Sequence, residues 1–279
     1  MAMTTSDGNV EFLPEEAGAL IVQPALDASV AAQVLTVVRT AAHTYRIPVV
    51  SEDPMANWFD EGEAITPDDM AFDEVVVTPA KVAGLTRISR ELAEDTNPAA
   101  AQVVGAGLAR DIGRTIDQAL FGTMTAPAPD GLTSTAATFV DSNGFANIDP
   151  FVEAMFAAEN LGAQVDAWVT TPAVALALAK LKEATGSLRH LLQPDPTAPT
   201  GRTIAGVPLY VSSYVDTGVC WGIPKDRSQL VLRDDVRLEV DRSVYFATDE
   251  VAIKATMRVG FGLAHEAAII RIADEAVSS

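Results

Sequence analysis

Apolar residues recur along this chain in two rhythms. From Val104 an apolar residue returns every fourth position, at Leu108, Ile112, Ile116 and Leu120, which draws one stripe down an α-helix. Asn97 is a good N-cap ahead of it, and Pro98 fits the first helical position, where a missing N–H costs nothing. Gly122 is placed to end the helix. About 24 residues at about 1.5 Å each make a rod of about 36 Å. Arg110, Asp111, Arg114, Asp117 and Gln118 fall on its other sides, and Asp111 can pair with Arg114 at i,i+3. From Val251 the period drops to two. Val251, Ile253, Ala255, Met257, Val259, Phe261 and Leu263 alternate, with Lys254, Thr256 and Arg258 between them. These 13 residues are long for a strand, whose usual length is about 5 to 6. Ala267 to Ile272 reads as a second, short strand.

Shorter signals fill in the rest. Residues 1–12 are small and polar without periodicity, the composition of a disordered segment. Leu26, Val30, Val34, Leu35 and Val38 fit a short helix or an extended arm over Ala25 to Val38. Asp149-Pro150 predicts a helix to about Leu161, stopped by Gly162. Thr171-Pro172 predicts another ending at Gly186, with Lys180 and Lys182 in its last turns, where cations suit the dipole. Val165 to Thr170 reads as a strand between these helices. Gln193 to Gly201 holds three prolines and reads as a loop, and Gly206 to Ser212 as a strand.

Between the arm and the long helix lies an excursion. Arg46-Ile47-Pro48-Val49-Val50 runs out extended, Ala56 to Glu63 makes an acidic tip, and Glu74 to Val77 returns through valines to Ile88-Ser89-Arg90-Glu91-Leu92. From Ile47 to Ala80 there are nine acids and no Lys or Arg. Such a stretch repels itself and extends unless something basic lies against it. A charge run is commonly a solvated surface. Trp58 and Phe59 favour a contact instead, because large aromatics at a polar tip gain by burial and are enriched in interface cores.

Composition narrows the function classes. With 279 residues, 48% of them hydrophobic, the chain can bury one large core or two modest ones. It has no run of about 20 apolar residues, and Met1 to Val10 lacks a secretory pattern, so a soluble protein made in a cytoplasm is expected. Cys220 is the only cysteine, which excludes an intrachain disulfide, a thiolate zinc cluster and a CxxC pair; a buried position is expected for it. A net charge of -19, from 38 acids and 19 bases, repels phosphate and argues against adhesive nucleic-acid binding. His43, His190 and His265 are isolated and form no metal-ligand pair. Neither a GxxxxGK[ST] loop nor a GxGxxG after a strand occurs. The acidic loop offers oxygens to a divalent cation but lacks a twelve-residue ligand pattern. No catalytic, cofactor or metal site is expected.

An out-and-back loop followed by a spine-like helix resembles tailed-bacteriophage major capsid proteins of the Hong Kong ninety-seven type. Asp117 to Gly122 resembles the close of that family's spine helix, and Pro129-Asp130-Gly131-Leu132 the turn after it. Gly206-Val207-Pro208 resembles its G-x-P motif, and the long strand with the short one after it resembles the sheet beside the helix. The resemblance runs from about Leu26 to Ile272. It implies an α+β fold with an N-terminal arm (1–45), an extended β-hairpin loop (46–90), a peripheral domain holding the spine helix (91–142 and 250–279) and an axial domain (143–249). With Met1 about two dozen residues before the arm, no large N-terminal scaffolding segment is expected.

The implied function is assembly without chemistry. Hexamers and pentamers would tile an icosahedral shell around double-stranded DNA, enclosed without sequence-specific binding. The subunit would be made in the host cytoplasm and end in the virion. Scaffold, portal and decoration proteins are the expected partners, and no membrane is involved. An encapsulin-like nanocompartment shell protein and an unrelated acidic hydrolase are the rivals. Some members of the family weld the shell by joining a loop lysine to an asparagine of another subunit, assisted by a buried carboxylate. Here residues 47–80 hold no lysine, no asparagine follows Asn160, and Val251 and Arg258 stand where the asparagine and carboxylate would be. Non-covalent contacts are therefore expected, with Trp58, Phe59, Asp60, Glu61 and Glu63 on the loop and Arg110 and Arg114 on the helix as the contact residues.

Overall fold

The computed structural model describes residues 25–52, 58–59, 62, 71–90, 99–182, 190–192, 200–241 and 243–274. The arm carries α1 (Val30–Val34) and β1 (Thr36–Thr40), so the segment expected as helix or extended arm is each in turn. The excursion supplies β2 (Tyr45–Glu52), β3 (Ala71–Val77) and β4 (Ala80–Ser89). Next come the long helix α2 (Ala99–Phe121), β5 (Thr138–Asp141), α3 (Asp149–Asn160), β6 (Ala167–Thr170) and α4 (Pro172–Ala179). The last part holds β7 (Thr203–Ile204), β8 (Val207–Val211), β9 (Val219–Ile223), β10 (Ser228–Asp241), β11 (Glu250–Leu263) and β12 (Ile270–Ala273).

Among the described residues the strands form three sheets. The long one has order β1-β10-β11-β4, with β1 parallel to β10 and the other pairs antiparallel. A mixed six-stranded sheet has order β5-β12-β9-β6-β8-β7, and β2 pairs with β3 in a two-stranded sheet. Pro48 sits in β2, where a two-stranded ribbon leaves room for a residue that cannot donate to a ladder. One core joins α1, α2 and the near face of the long sheet, through Ile112, Ile116, Leu120, Leu230, Leu232, Met257 and Val259, and continues under the six-stranded sheet at Val169 and Trp221. A second core lies between the other face of that sheet and the helices α3 and α4. There Phe151 meets Trp168 edge-on, with ring centroids 5.1 Å apart, an arrangement favoured by the ring quadrupoles.

Several expectations change in detail. α4 stops at Ala179, well short of Gly186. The Lys180 N–H bonds the carbonyls of both Leu176 and Ala177, tightening the last turn, and Lys182 then leaves to pair with His190. Asp149 is the first residue of α3 and not its cap; its N–H donates to Asn147 Oδ1 at 3.3 Å. Thr171 does cap α4, its hydroxyl accepting from the Val174 N–H. The short last strand does not lie beside β11 but enters the six-stranded sheet between β5 and β9. Sheet pairing thus cuts across the expected limits: β10, within 143–249, belongs to the long sheet, and β12, within 250–279, to the other. Asn97 and Pro98 lie outside the described residues.

Candidate functional site

Three features surround α2 and the long sheet, beginning with the arm. Asp117, expected on a polar side of α2, is instead buried beneath the arm. Its Oδ1 accepts from Ser29 Oγ at 2.7 Å and from the Ala31 N–H at 2.9 Å, and its Oδ2 from the Val30 N–H at 3.0 Å. These amides open α1 and have no partner within the helix, which is why a carboxylate from another element suits them. Burial pushes the Asp117 carboxyl up from its ordinary value, and the three donors pull it part of the way back. One turn earlier, a Cβ on Gly113 would stand 2.7 Å from the Ala25 carbonyl oxygen. Gly113 therefore permits the close approach that Asp117 fastens.

The loop is the second feature. β2 and β3 form an antiparallel ribbon, with Arg46 Nη1 2.6 Å from Glu74 Oε1. Ile47 and Val77 seat its base on Val231 of the long sheet. Gly260 and Gly262 make the room, since a Cβ on either would lie 2.7 Å from Val77 Cγ1 or 2.4 Å from Ile47 Cδ1. Trp58 is fully exposed, at 103% of its reference area, and Phe59 is half-buried. Asp60, Glu61 and Glu63 lie outside the described residues. Arg110 and Arg114 are exposed on α2, one turn apart, and no ion pair joins Arg114 to Asp111 among the described residues.

The long sheet itself is the third feature. Its near face is covered by α2, where a Cβ on Gly84 would meet Leu108 Cδ2 at 3.0 Å. Its far face carries the ribbon at one end, and there Lys81, Arg233, Glu239, Lys254, Thr256 and Arg258 line a hollow of about 250 Å³. Lys254 pairs with Glu239. Val251 is buried opposite Ile88, and Arg258 is half-buried opposite both Arg233 and Lys81. Arg87 and Arg90 reach Glu250 and Asp249 at 3.2 and 3.1 Å, tying the end of β4 to the start of β11. These cations converge only through strand pairing, and sequence reasoning missed them as a group.

Reactive side chains are scattered. Cys220 is wholly buried in β9, and burial pushes its thiol far up, away from a reactive thiolate. His43 and His190 are exposed, and His265 is half-buried just past β11. Among the described residues no three His, Cys, Asp or Glu stand together where they would hold a metal ion. No described helix is long and apolar enough to cross a membrane. Among the described residues the arrangement holds no assembled acid, base or nucleophile.

A long helix laid on a long sheet, a hairpin excursion from the opposite face and a separate mixed sheet define a shell-building subunit with the Hong Kong ninety-seven-type fold. The chain belongs to the phage capsid family, whose family model matches residues 11–274. It is similar in structure to the capsid of an empty GTA particle, with TM-score 0.73 and 18% identity, covering 88% of this chain and 90% of that one. A Microbacterium phage Oxtober96 structure gives 0.71 and 20%, covering 99% and 96%. A Mycobacterium phage Adephagia structure gives 0.71 and 15%, covering 88% and 90%. No curated protein matches the chain. A major capsid subunit is a component of the virion, and its work is structural: association with copies of itself into a shell.

Proposed function

We propose that this chain forms the hexamers and pentamers of an icosahedral tailed-phage head and that non-covalent contacts alone hold its subunits together. The observation that carries the second part is the chemistry of the long sheet and loop. Residues 47–80 offer no lysine, and β11 presents a buried Val251 and a cationic Arg258 where welding would need an amide and a carboxylate. The shell then rests on buried apolar area, main-chain pairing and matched charge. Trp58, Phe59, Asp60, Glu61 and Glu63 form the loop side of a contact between subunits, and Arg110 and Arg114 are candidates for the receiving side. Each exposed pair contributes only about 0.2 to 1 kcal/mol, so register comes from repetition around the shell.

A net charge of -19 suits a wall that encloses double-stranded DNA without gripping it. Assembly takes place in the host cytoplasm, with scaffold, portal and decoration proteins as partners. Negative-stain electron microscopy beside light scattering tests this reading on the purified protein. Closed shells, or rings of five and six, are expected. A uniform monomer or dimer that stays small with added scaffold overturns it. Denaturing gels of the particles are expected to show one monomer band; a ladder of linked oligomers overturns the non-covalent part.

A further inference from the structure

Asn143-Gly144 is the one Asn-Gly pair in the chain, and it is exposed between β5 and α3. Asn143, Gly144 and Phe145 have φ of 47°, 66° and 53°, three successive residues in the left-handed region, which side chains with a Cβ enter at a steric cost. A Cβ on Gly144 would meet nothing within 4 Å, so the glycine serves the backbone and not the packing. Phe145 anchors one end of the turn, buried in the second core with its ring centroid 6.1 Å from that of Phe151. Asp274, just past β12, holds the other. Its Oδ1 accepts from Ser142 Oγ and, at 3.0 Å, from the Gly144 N–H, while the Ser142 N–H donates to the Ala273 carbonyl at 3.0 Å. The Ser142 hydroxyl and then the Gly144 amide hold the Asp274 carboxyl below its ordinary value, so it is an anion at neutral pH.

An asparagine followed by glycine is chemically fragile, because no side chain shields the next backbone nitrogen. That nitrogen loses its proton and bonds to the asparagine Cγ. The Cγ–Nδ2 bond breaks, ammonia leaves carrying the proton, and a five-membered imide remains. Water then opens the ring at either carbonyl, giving aspartate or isoaspartate. We propose that Asn143-Gly144 is a latent site of this self-modification, kept dormant by the Asp274 clasp and opened when the clasp lets go. An N–H that donates to a carboxylate keeps its proton, since the negative charge opposes a second one on the nitrogen. The isoaspartate route adds a methylene to the main chain, so a subunit converted in that way does not re-form the turn. Both routes add a negative charge close to Asp141, which accepts from the Asn143 N–H at 3.2 Å, and to Asp274. Release of the chain beyond β12 is thereby recorded as a covalent change.

Peptide-resolved mass spectrometry of the full chain, incubated at neutral pH, tests it. Conversion at Asn143 in folded wild type is expected to run about tenfold slower than in the guanidinium-unfolded chain; equal rates overturn the dormancy. Asp274→Ala is expected to raise the rate in folded protein by about tenfold, the weight of one charge-assisted hydrogen bond. An unchanged rate overturns the clasp. Rates are taken on material with the wild-type circular-dichroism spectrum, well below its melting midpoint, which separates local release from unfolding. Where Asp274→Ala does not fold, Asp274→Asn carries the test, because it keeps an acceptor for the Gly144 N–H and loses the charge. A rate above wild type then supports the site, and a wild-type rate overturns the clasp. Asn143→Asp is expected to abolish the mass gain in that peptide; a gain that persists places the chemistry elsewhere and overturns the assignment.

Discussion

The two faces of the long sheet are made by alternate residues of the same strands, yet they differ in almost every respect. On the near face Leu230, Leu232, Ala255, Met257 and Val259 are buried beneath α2 and the arm. On the far face Lys81, Leu85 and Arg87 are exposed, and Lys254, Thr256 and Arg258 half-exposed. Strand geometry allows this because successive side chains point to opposite sides, and a one-residue slip would exchange the two sets. Apolar burial, at about 25 cal/mol per Å², makes the near face the one that folds the subunit. The far face buries the base of the ribbon at Val231 and otherwise leaves charged side chains exposed or half-exposed. Alternate residues of the same strands thus meet the main core and the opposite, more polar face.

Ala255→Asp is the most severe way to break that division. Ala255 is wholly buried, between Leu238 and Gly84 in the sheet, and Gly84 already lies against Leu108. A carboxylate there would enter an apolar core cluster, and an uncompensated buried charge costs about 3 to 5 kcal/mol. Set against a total stability of about 5 to 15 kcal/mol, the expected outcome is loss of the soluble folded subunit, seen by circular dichroism and by solubility. A variant melting like wild type would remove the near face from its folding role.

The arm clasp gives a smaller effect with a sign that can be checked. Asp117→Ala leaves a hydroxyl and two amides without their acceptor, and an unmet buried group costs about 1 to 3 kcal/mol. Faster proteolysis near Ser29 and a lower melting temperature are expected. The carboxyl is held above its ordinary 3.8, so the folded chain binds this proton more tightly than the unfolded one. Its stabilising contribution is fully present below the unfolded pKa and is lost as pH rises through the folded value. Asp117→Asn removes that titration. Urea unfolding at about pH 4 and about pH 7 should show the wild-type advantage over Asp117→Asn shrinking as pH rises. An advantage that grows instead would mean that the three donors outweigh desolvation.

Strict periodicity made the largest elements legible. The four-residue repeat to Leu120 is α2, and the two-residue repeat from Val251 is β11, each within a few residues of its expected limits. What the sequence hid depends on distant partners. Helical spacing separates apolar from polar positions, but it does not say that an arm 86 to 88 residues away will cover Asp117. The apolar run of β12 is the same whichever sheet receives it; β5 and β9 decide. Gly131, within a turn read by resemblance, is needed because a Cβ there would lie 2.2 Å from the Ala119 carbonyl oxygen at the end of α2. At the site, nine acids in one stretch are plain to see, whereas Lys81, Arg233, Lys254 and Arg258 meet only once three strands are in register.

The finest test of the division asks what Lys81→Glu does to the subunit alone. Lys81 is exposed, and substitutions at such positions usually change stability by no more than about 0.5 kcal/mol. It also faces Arg258 directly, so an acid in its place turns a repulsive cross-strand pair into an attractive one. Such pairs are worth about 0.2 to 1 kcal/mol. Urea unfolding of the dissociated subunit should therefore show unchanged or slightly raised stability. A loss of more than about 1 kcal/mol, beyond the range of a surface substitution, would mean that Lys81 also supports the fold. The two faces would then share the work of folding.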